Sequence, residues 1–178
     1  YCNNNEFIES SDDKVKYQYE LCEKPVVKLP DEFCNKGVVV LDGPFMCLDP
    51  YGGTGLHVMG HVVHAIHHTS VGLYPKIPDD PRLLGLLNKG VVKDPPISNF
   101  QRIISSASKF FEGIESCHHI GSMFTHRVVL PHMEDTDERP TIVRQITDNL
   151  ITIFSGKIPT CIESAHEVLN LIESKMQA

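Results

Sequence analysis

The chain has 178 residues, 41% hydrophobic and 22% charged, which is enough for a sizeable core and ordinary for a folded globular protein. Sixteen Lys and Arg against 23 Asp and Glu leave a net charge of −7, which argues against binding to nucleic acid or to an anionic membrane surface as the main task. No apolar run approaches the ~20 residues that a membrane-spanning helix needs.

Residues 1–14 are polar and read as a loop or chain end. The opening Tyr1-Cys2-Asn3-Asn4-Asn5 has neither an initiator Met nor a signal pattern, and predicts a processed chain or part of a longer polypeptide. Val15 to Leu29 is extended by pattern: Tyr17, Tyr19 and Leu21 alternate with Gln18 and Glu20, with a break expected around Cys22-Glu23-Lys24-Pro25. Val38 to Leu41 is an apolar strand closed by Asp42-Gly43-Pro44, and Phe45 to Leu48 is a second short one. After the Gly-rich loop Asp49 to Gly55, Leu56 to Ile66 reads as one strand. One face would carry His57, Met59, His61, Val63 and Ala65, reaching His67 if the strand continues.

A Pro-rich excursion (Pro75 to Pro96) predicts loops and short helical turns. Ser98 or Asn99 is placed to cap a helix over about 100–114, with Phe100, Ile103, Ile104, Ala107, Phe110 and Phe111 at helical spacing. Cys117 to Leu130 returns to extended chain, with Gly121 as a bulge position. His132 to Glu138 is an acidic loop. Thr141–Ile146, a turn at Asp148-Asn149 and Leu150–Phe154 have the signature of a hairpin. The last helix, about 160–175, aligns Ile162, Ala165, Val168, Leu169 and Ile172. Many antiparallel-type strands with few helices predict an α+β fold. The expected division is a polar end at 1–14, a sheet domain with the helix at about 100–114 over 15–146, and a terminal strand–turn–helix at 147–178.

Six scattered cysteines without a CxxC pair read as free thiols of a reducing cytoplasm. Ten histidines are an excess. The His61/His64 and His64/His67 spacings do not make a metal site on a strand, where residues three apart face opposite sides. His57, His61 and His67 on a common face would line a substrate surface, with His61 and His67 available for proton transfer. Tyr51, in the Gly-rich loop, would serve as a lid or substrate contact.

The run Leu150-Ile151-Thr152-Ile153-Phe154-Ser155-Gly156-Lys157-Ile158-Pro159-Thr160-Cys161, continuing into an amphipathic helix, resembles the closing strand–turn–helix of the D-amino-acid-oxidase-like flavoenzymes, the superfamily that includes glycerol-3-phosphate dehydrogenase. Two further segments resemble the same superfamily in the same order. One is Asp42-Gly43-Pro44-Phe45 through Pro50-Tyr51-Gly52 into the His-rich strand. The other is Ser122-Met123-Phe124-Thr125-His126-Arg127-Val128-Val129-Leu130-Pro131, followed by Arg139-Pro140-Thr141.

The resemblance spans about residues 17–175 and implies an FAD-dependent oxidoreductase acting on a small amine, amino acid or hydroxy acid. FAD would meet Ser155, Gly156, Lys157, Ile158, Pro159 and Thr160, where a turn opening a helix offers N–H donors. Arg127 would hold the carboxylate or other anionic group of the substrate, ahead of Arg139 and Arg144, with His57 and Tyr51 as further contacts.

Two departures stand out. The GxGxxG unit that seats the flavin pyrophosphate is absent from 1–178, so the resemblance covers a C-terminal half and implies a GxGxxG-bearing N-terminal segment or subunit as partner. Pro159 replaces the first of two threonines common in relatives, removing a hydroxyl contact. An alternative reading is a non-catalytic binding or assembly module, using the acidic loop and the Pro-rich segment as partner surfaces. Neither nucleic acid nor a membrane span is expected.

Overall fold

The alternating and helical patterns above become, among the residues described by this computed structural model (4–41, 45–133 and 139–176), eight strands and three α-helices. In chain order these are β1 (Tyr17–Lys28), β2 (Val38–Val40), β3 (Met46–Pro50), β4 (His57–His61), β5 (Ile66–Gly72), α1 (Pro81–Leu84), α2 (Phe100–Ala107), β6 (His118–Val129), β7 (Ile142–Thr147), β8 (Leu150–Phe154) and α3 (Cys161–Met176). The architecture is α+β. One sheet has the order β2-β3-β4-β1-β5, with β6 also paired to β1, and β7–β8 form a two-stranded antiparallel sheet. The expected Asp42-Gly43-Pro44 turn and most of the acidic loop, 134–138, lie outside the described residues.

The chain divides into two compact units, one of Glu20–Thr69 and Ile77–His126, the other of Tyr1–Tyr19, Ser70–Lys76 and Arg127–Ala178. In the first, α2 lays Phe100, Ile103, Ile104 and Ala107 against Val27, Leu29, Met46, Leu48 and Met59, joined by Ile114. That 0, 3, 4, 7 spacing is one helical stripe, and it covers the apolar face of β3, β4 and the end of β1. The helix stops at Ala107 instead of continuing to 114. Serines crowd its end, and the Ser108 hydroxyl donates to the Ser105 carbonyl (3.1 Å), the kind of local bond that competes with helix.

A second cluster joins Leu21 and Phe124 to Leu83 and Leu86, so the Pro-rich excursion is tied down by buried leucines. Asp80 caps α1 by accepting the Arg82 N–H (3.0 Å), with Pro81 in the first turn. Gly121 is required by space: a Cβ there would collide with the Val92 carbonyl, across the bridge that pairs Val92 with Ser122.

Two strand expectations change. The break at Cys22–Pro25 does not occur. The Glu23 N–H donates to the Ala65 carbonyl (2.7 Å) and Val26 pairs with Val58, so the ladder carries across Pro25, which lacks a donor but fits extended chain. Conversely, the single strand expected over 56–66 is two strands separated by a turn at 62–65. The cause is His61. Its Nδ1 accepts the N–H groups of Val63 (3.2 Å) and His64 (3.1 Å), giving the backbone a partner other than the ladder. The common face expected for His57, His61 and His67 is therefore not formed as one strand.

The second unit is built on Tyr17, Tyr19, Val128 and Phe154, with the Tyr17 and Phe154 rings stacked at 5.1 Å. β7 and β8 pair as the expected hairpin, Val143 opposite Ile153 and Arg144 opposite Thr152. In α3 the buried or half-buried line is Ser164, Val168 and Leu171. Most of the expected stripe instead faces outward, with Ile162 at 67%, Leu169 at 51% and Ile172 at 45% exposure.

Candidate functional site

The turn after β8 is held by its own side chains. The Gly156 N–H donates to Thr141 Oγ1 (2.9 Å), Thr141 and Thr160 hydroxyls meet at 2.5 Å, and Thr160 donates to the Lys157 carbonyl (2.7 Å). With one proton per hydroxyl, these bonds run in a single direction, Gly156 to Thr141 to Thr160 to Lys157. Gly156 is glycine because its α-carbon abuts the backbone of Arg139 and Pro140; a Cβ would overlap the Arg139 carbonyl.

Donors expected toward a ligand are thus largely engaged. Thr160 N–H bonds Lys157 O (3.2 Å), and Cys161 N–H bonds Ile158 O in the short 3₁₀ turn Ile158–Thr160. The Ile158 N–H opens that turn with no acceptor among the described residues, beside the exposed Lys157 and Pro159.

Beside this turn lies a cavity of about 70 Å³, lined among others by Arg127, Leu130, Arg139, Phe154, Ser155 and Gly156. Two arginines thus reach the same hollow as the Ser-Gly turn: Arg127 from β6 and Arg139 from the segment leading into β7. Arg144 does not join them among the lining residues; its guanidinium donates to the Asp13 carbonyl (3.1 Å).

The histidines are placed differently from the sequence expectation. His57 is 1% exposed, and neither ring nitrogen has a partner among the described residues. His61 is 4% exposed. Because its Nδ1 accepts two N–H groups, the hydrogen bonding assigns the proton to Nε2, which donates to Ser106 Oγ at 3.0 Å. Burial, and then the neighbouring His64 stacked 4.4 Å away, hold the His61 pKa below the ordinary histidine value. His67 Nε2 lies 2.8 Å from Glu23 Oε2. Tyr51 stands in its loop with its hydroxyl 3.9 Å from Met123 Sδ.

Glu23 is the residue that sequence reading passed over. It is fully buried, and its carboxylate accepts Ser98 Oγ (2.5 Å), Ser122 Oγ (2.5 Å), the Asn99 N–H (2.6 Å) and His67. Burial alone would raise its pKa. The hydrogen bonds, His67 foremost, outweigh that and lower it. An anion at the start of α2 also suits the helix dipole. The signal was present in the sequence: Glu23 continues the alternate positions Tyr17, Tyr19 and Leu21, an acid in an apolar register.

On β3, burial and then a hydrogen bond with Asp49 push the Cys47 thiol up to about 11, against the opposing pull of the Lys24 ammonium. Gly60 leaves the room: a Cβ there would lie 2.6 Å from Cys47 Sγ and 2.8 Å from Lys24 Nζ.

Among the described residues no group of three or more His, Cys, Asp or Glu is placed to hold a metal ion, and no helix is long and apolar enough to cross a membrane. No family model, curated protein or solved structure matches the chain.

Proposed function

We propose that this chain is the C-terminal portion of a flavin-dependent oxidoreductase of the D-amino-acid-oxidase-like superfamily, acting on a small amine, amino acid or hydroxy acid that bears an anionic group. The observation that carries this reading is the hollow where Arg127 and Arg139 meet Ser155 and Gly156. It joins the residues that the resemblance assigns to substrate and to cofactor. Bound FAD would accept a hydride from the substrate carbon, which the protein must orient.

In this reading the residues present would meet one edge of a flavin and not the whole ring. The hollow of about 70 Å³ is small, and the Gly156 N–H is engaged by Thr141; the Ile158 N–H and the Lys157 ammonium, which would face an electron-rich edge, follow the lining residues in sequence and do not line the hollow themselves. In this reading Arg127 and Arg139 orient the substrate's anionic group, and no proton-transfer step falls on His61 or His67, whose rings are buried in structural bonds. The rest of the flavin site would come from a GxGxxG-bearing segment or subunit. Exposed Ile158 in the 3₁₀ turn, with Ile162, Leu169 and Ile172 on α3, supports such a partner, since exposed apolar groups gathered on one element suit a contact surface.

The test is to titrate FAD into the chain alone and into the chain joined to a GxGxxG-bearing segment. The expected result is weak binding alone, a yellow complex together, and reduction of the flavin by a D-amino acid or a hydroxy acid under anaerobic conditions. Arg127→Leu should keep the flavin and raise KM at least about tenfold through loss of a charge-assisted bond. A joined protein that binds no flavin overturns the reading. It would favour the non-catalytic assembly module, to which the internally satisfied Gly156 N–H already lends weight.

A further inference from the structure

A second concavity, of about 330 Å³, opens over α2 in the other unit and is lined by His64, Gln101, Arg102, Ser105, Ser106 and Lys109. We infer that it is an anion site for the phosphate group of a small molecule. Its size falls at the lower end of small-ligand pockets.

Its chemistry is one-sided. No carboxylate lines it, in a chain whose acidic residues outnumber its basic ones, 23 to 16. Arg102 and Lys109 are exposed, and neither side chain has an ion pair or hydrogen bond among the described residues. An exposed cation without a partner is ordinary by itself. Two beside one hollow, Arg102 on α2 and Lys109 in the turn just after it, are a patch of positive potential in an acidic molecule.

The floor of the hollow gives the second, independent reason. Ser106 is 7% exposed, and its oxygen already receives the His61 Nε2 proton. Its own hydroxyl proton therefore has to be donated, and it has no acceptor among the described residues. A buried donor without an acceptor, backed by an N–H that polarises it, beside a guanidinium, an ammonium and an amide, is a set that calls for an acceptor with several oxygens. Phosphate meets the Arg fork bidentately and leaves oxygens for the serine and the lysine. The site owes nothing to the flavin reading, and stands or falls apart from it.

The experiment uses inorganic phosphate and, separately, a sugar phosphate monoester, with chloride at matched ionic strength as control, followed by backbone amide shifts and by the melting temperature. The expected result is saturable binding of a phosphate, with shifts centred on His64 and on 101–109. Preference for the ester over the inorganic ion would identify a phosphorylated metabolite as the natural source. Arg102→Gln and Lys109→Gln should each weaken binding about tenfold, while Lys36→Gln, an exposed cation outside the groove, should leave it unchanged. No saturable response up to tens of millimolar, a response matched by chloride, or equal affinity in the Arg102 and Lys109 variants would each overturn the proposal.

Discussion

His61 and Glu23 are both buried, and both depend on their protonation state, so acid should act on this protein in two separate windows. The His61 pKa is depressed in the folded state. The neutral ring therefore costs nothing above the unfolded-state value of about 6.5, and stability is lost as pH falls from there toward the folded value. Glu23 is depressed relative to its own reference. Its contribution is complete above an unfolded value of about 4.3 and disappears as pH falls through the lower folded one. Urea melts should show a first decline as pH falls below about 6.5, then a second as it falls below about 4.3. His61→Asn, which keeps a side-chain acceptor for the turn amides, should reduce the first relative to the parent, leaving the share of His126, which burial and then the neighbouring His68 also hold below the ordinary histidine value, and should leave the second unchanged. A slope just below about pH 6.5 that is the same in parent and variant would show that His61 does not titrate on unfolding.

At the scale of elements, the turn after β8 depends on residue 156 having no side chain. Gly156→Ala must push the chain away from Arg139 and break the Thr141 bond, so it should destabilise the second unit by about 2 kcal/mol or more, read from thermal or urea melts. A substitution that melts like the parent would mean that the turn adjusts freely.

Much at this scale was legible from pattern. The stripe of α2, the β7–β8 hairpin and the extended runs at 17–28 and 118–129 follow from period and turn chemistry. Three features were not. Pro25 suggested a break that the β1 ladder spans. The turn at 62–65 hides inside an apolar alternation because the residue that makes it, His61, acts by accepting amides, which periodicity does not report. The stripe of α3 was readable as a stripe, yet period alone does not say whether a stripe is covered.

For the molecule as a whole, that last point carries most of the weight. Ile162 and Leu169 contribute little to the packing of the described chain, so Ile162→Lys and Leu169→Lys should leave its stability within about 0.5 kcal/mol. The same changes should abolish association with a GxGxxG-bearing segment, measured by co-purification and flavin content. Association that survives both would move the proposed contact elsewhere. The candidate site is only partly legible in the sequence: the resemblance points to Arg127 and the Ser155–Gly156 turn, which line one hollow, whereas Arg139 trails Arg127 there and reaches the hollow only through the fold. The α2 groove went unseen because its members, from His64 to Lys109, converge only through tertiary structure.

The empty corner at Gly60 has a practical reach. Half-buried and with its pKa pushed up to about 11, the Cys47 thiol stays neutral in physiological buffer and presents almost no nucleophile to an alkylating reagent. Exposed Cys34 and Cys161 should take iodoacetamide first, so probes could be attached to the molecule without disturbing β3. Rapid carbamidomethylation of Cys47, seen by peptide mass mapping, would mean that this strand opens far more often than its packing suggests.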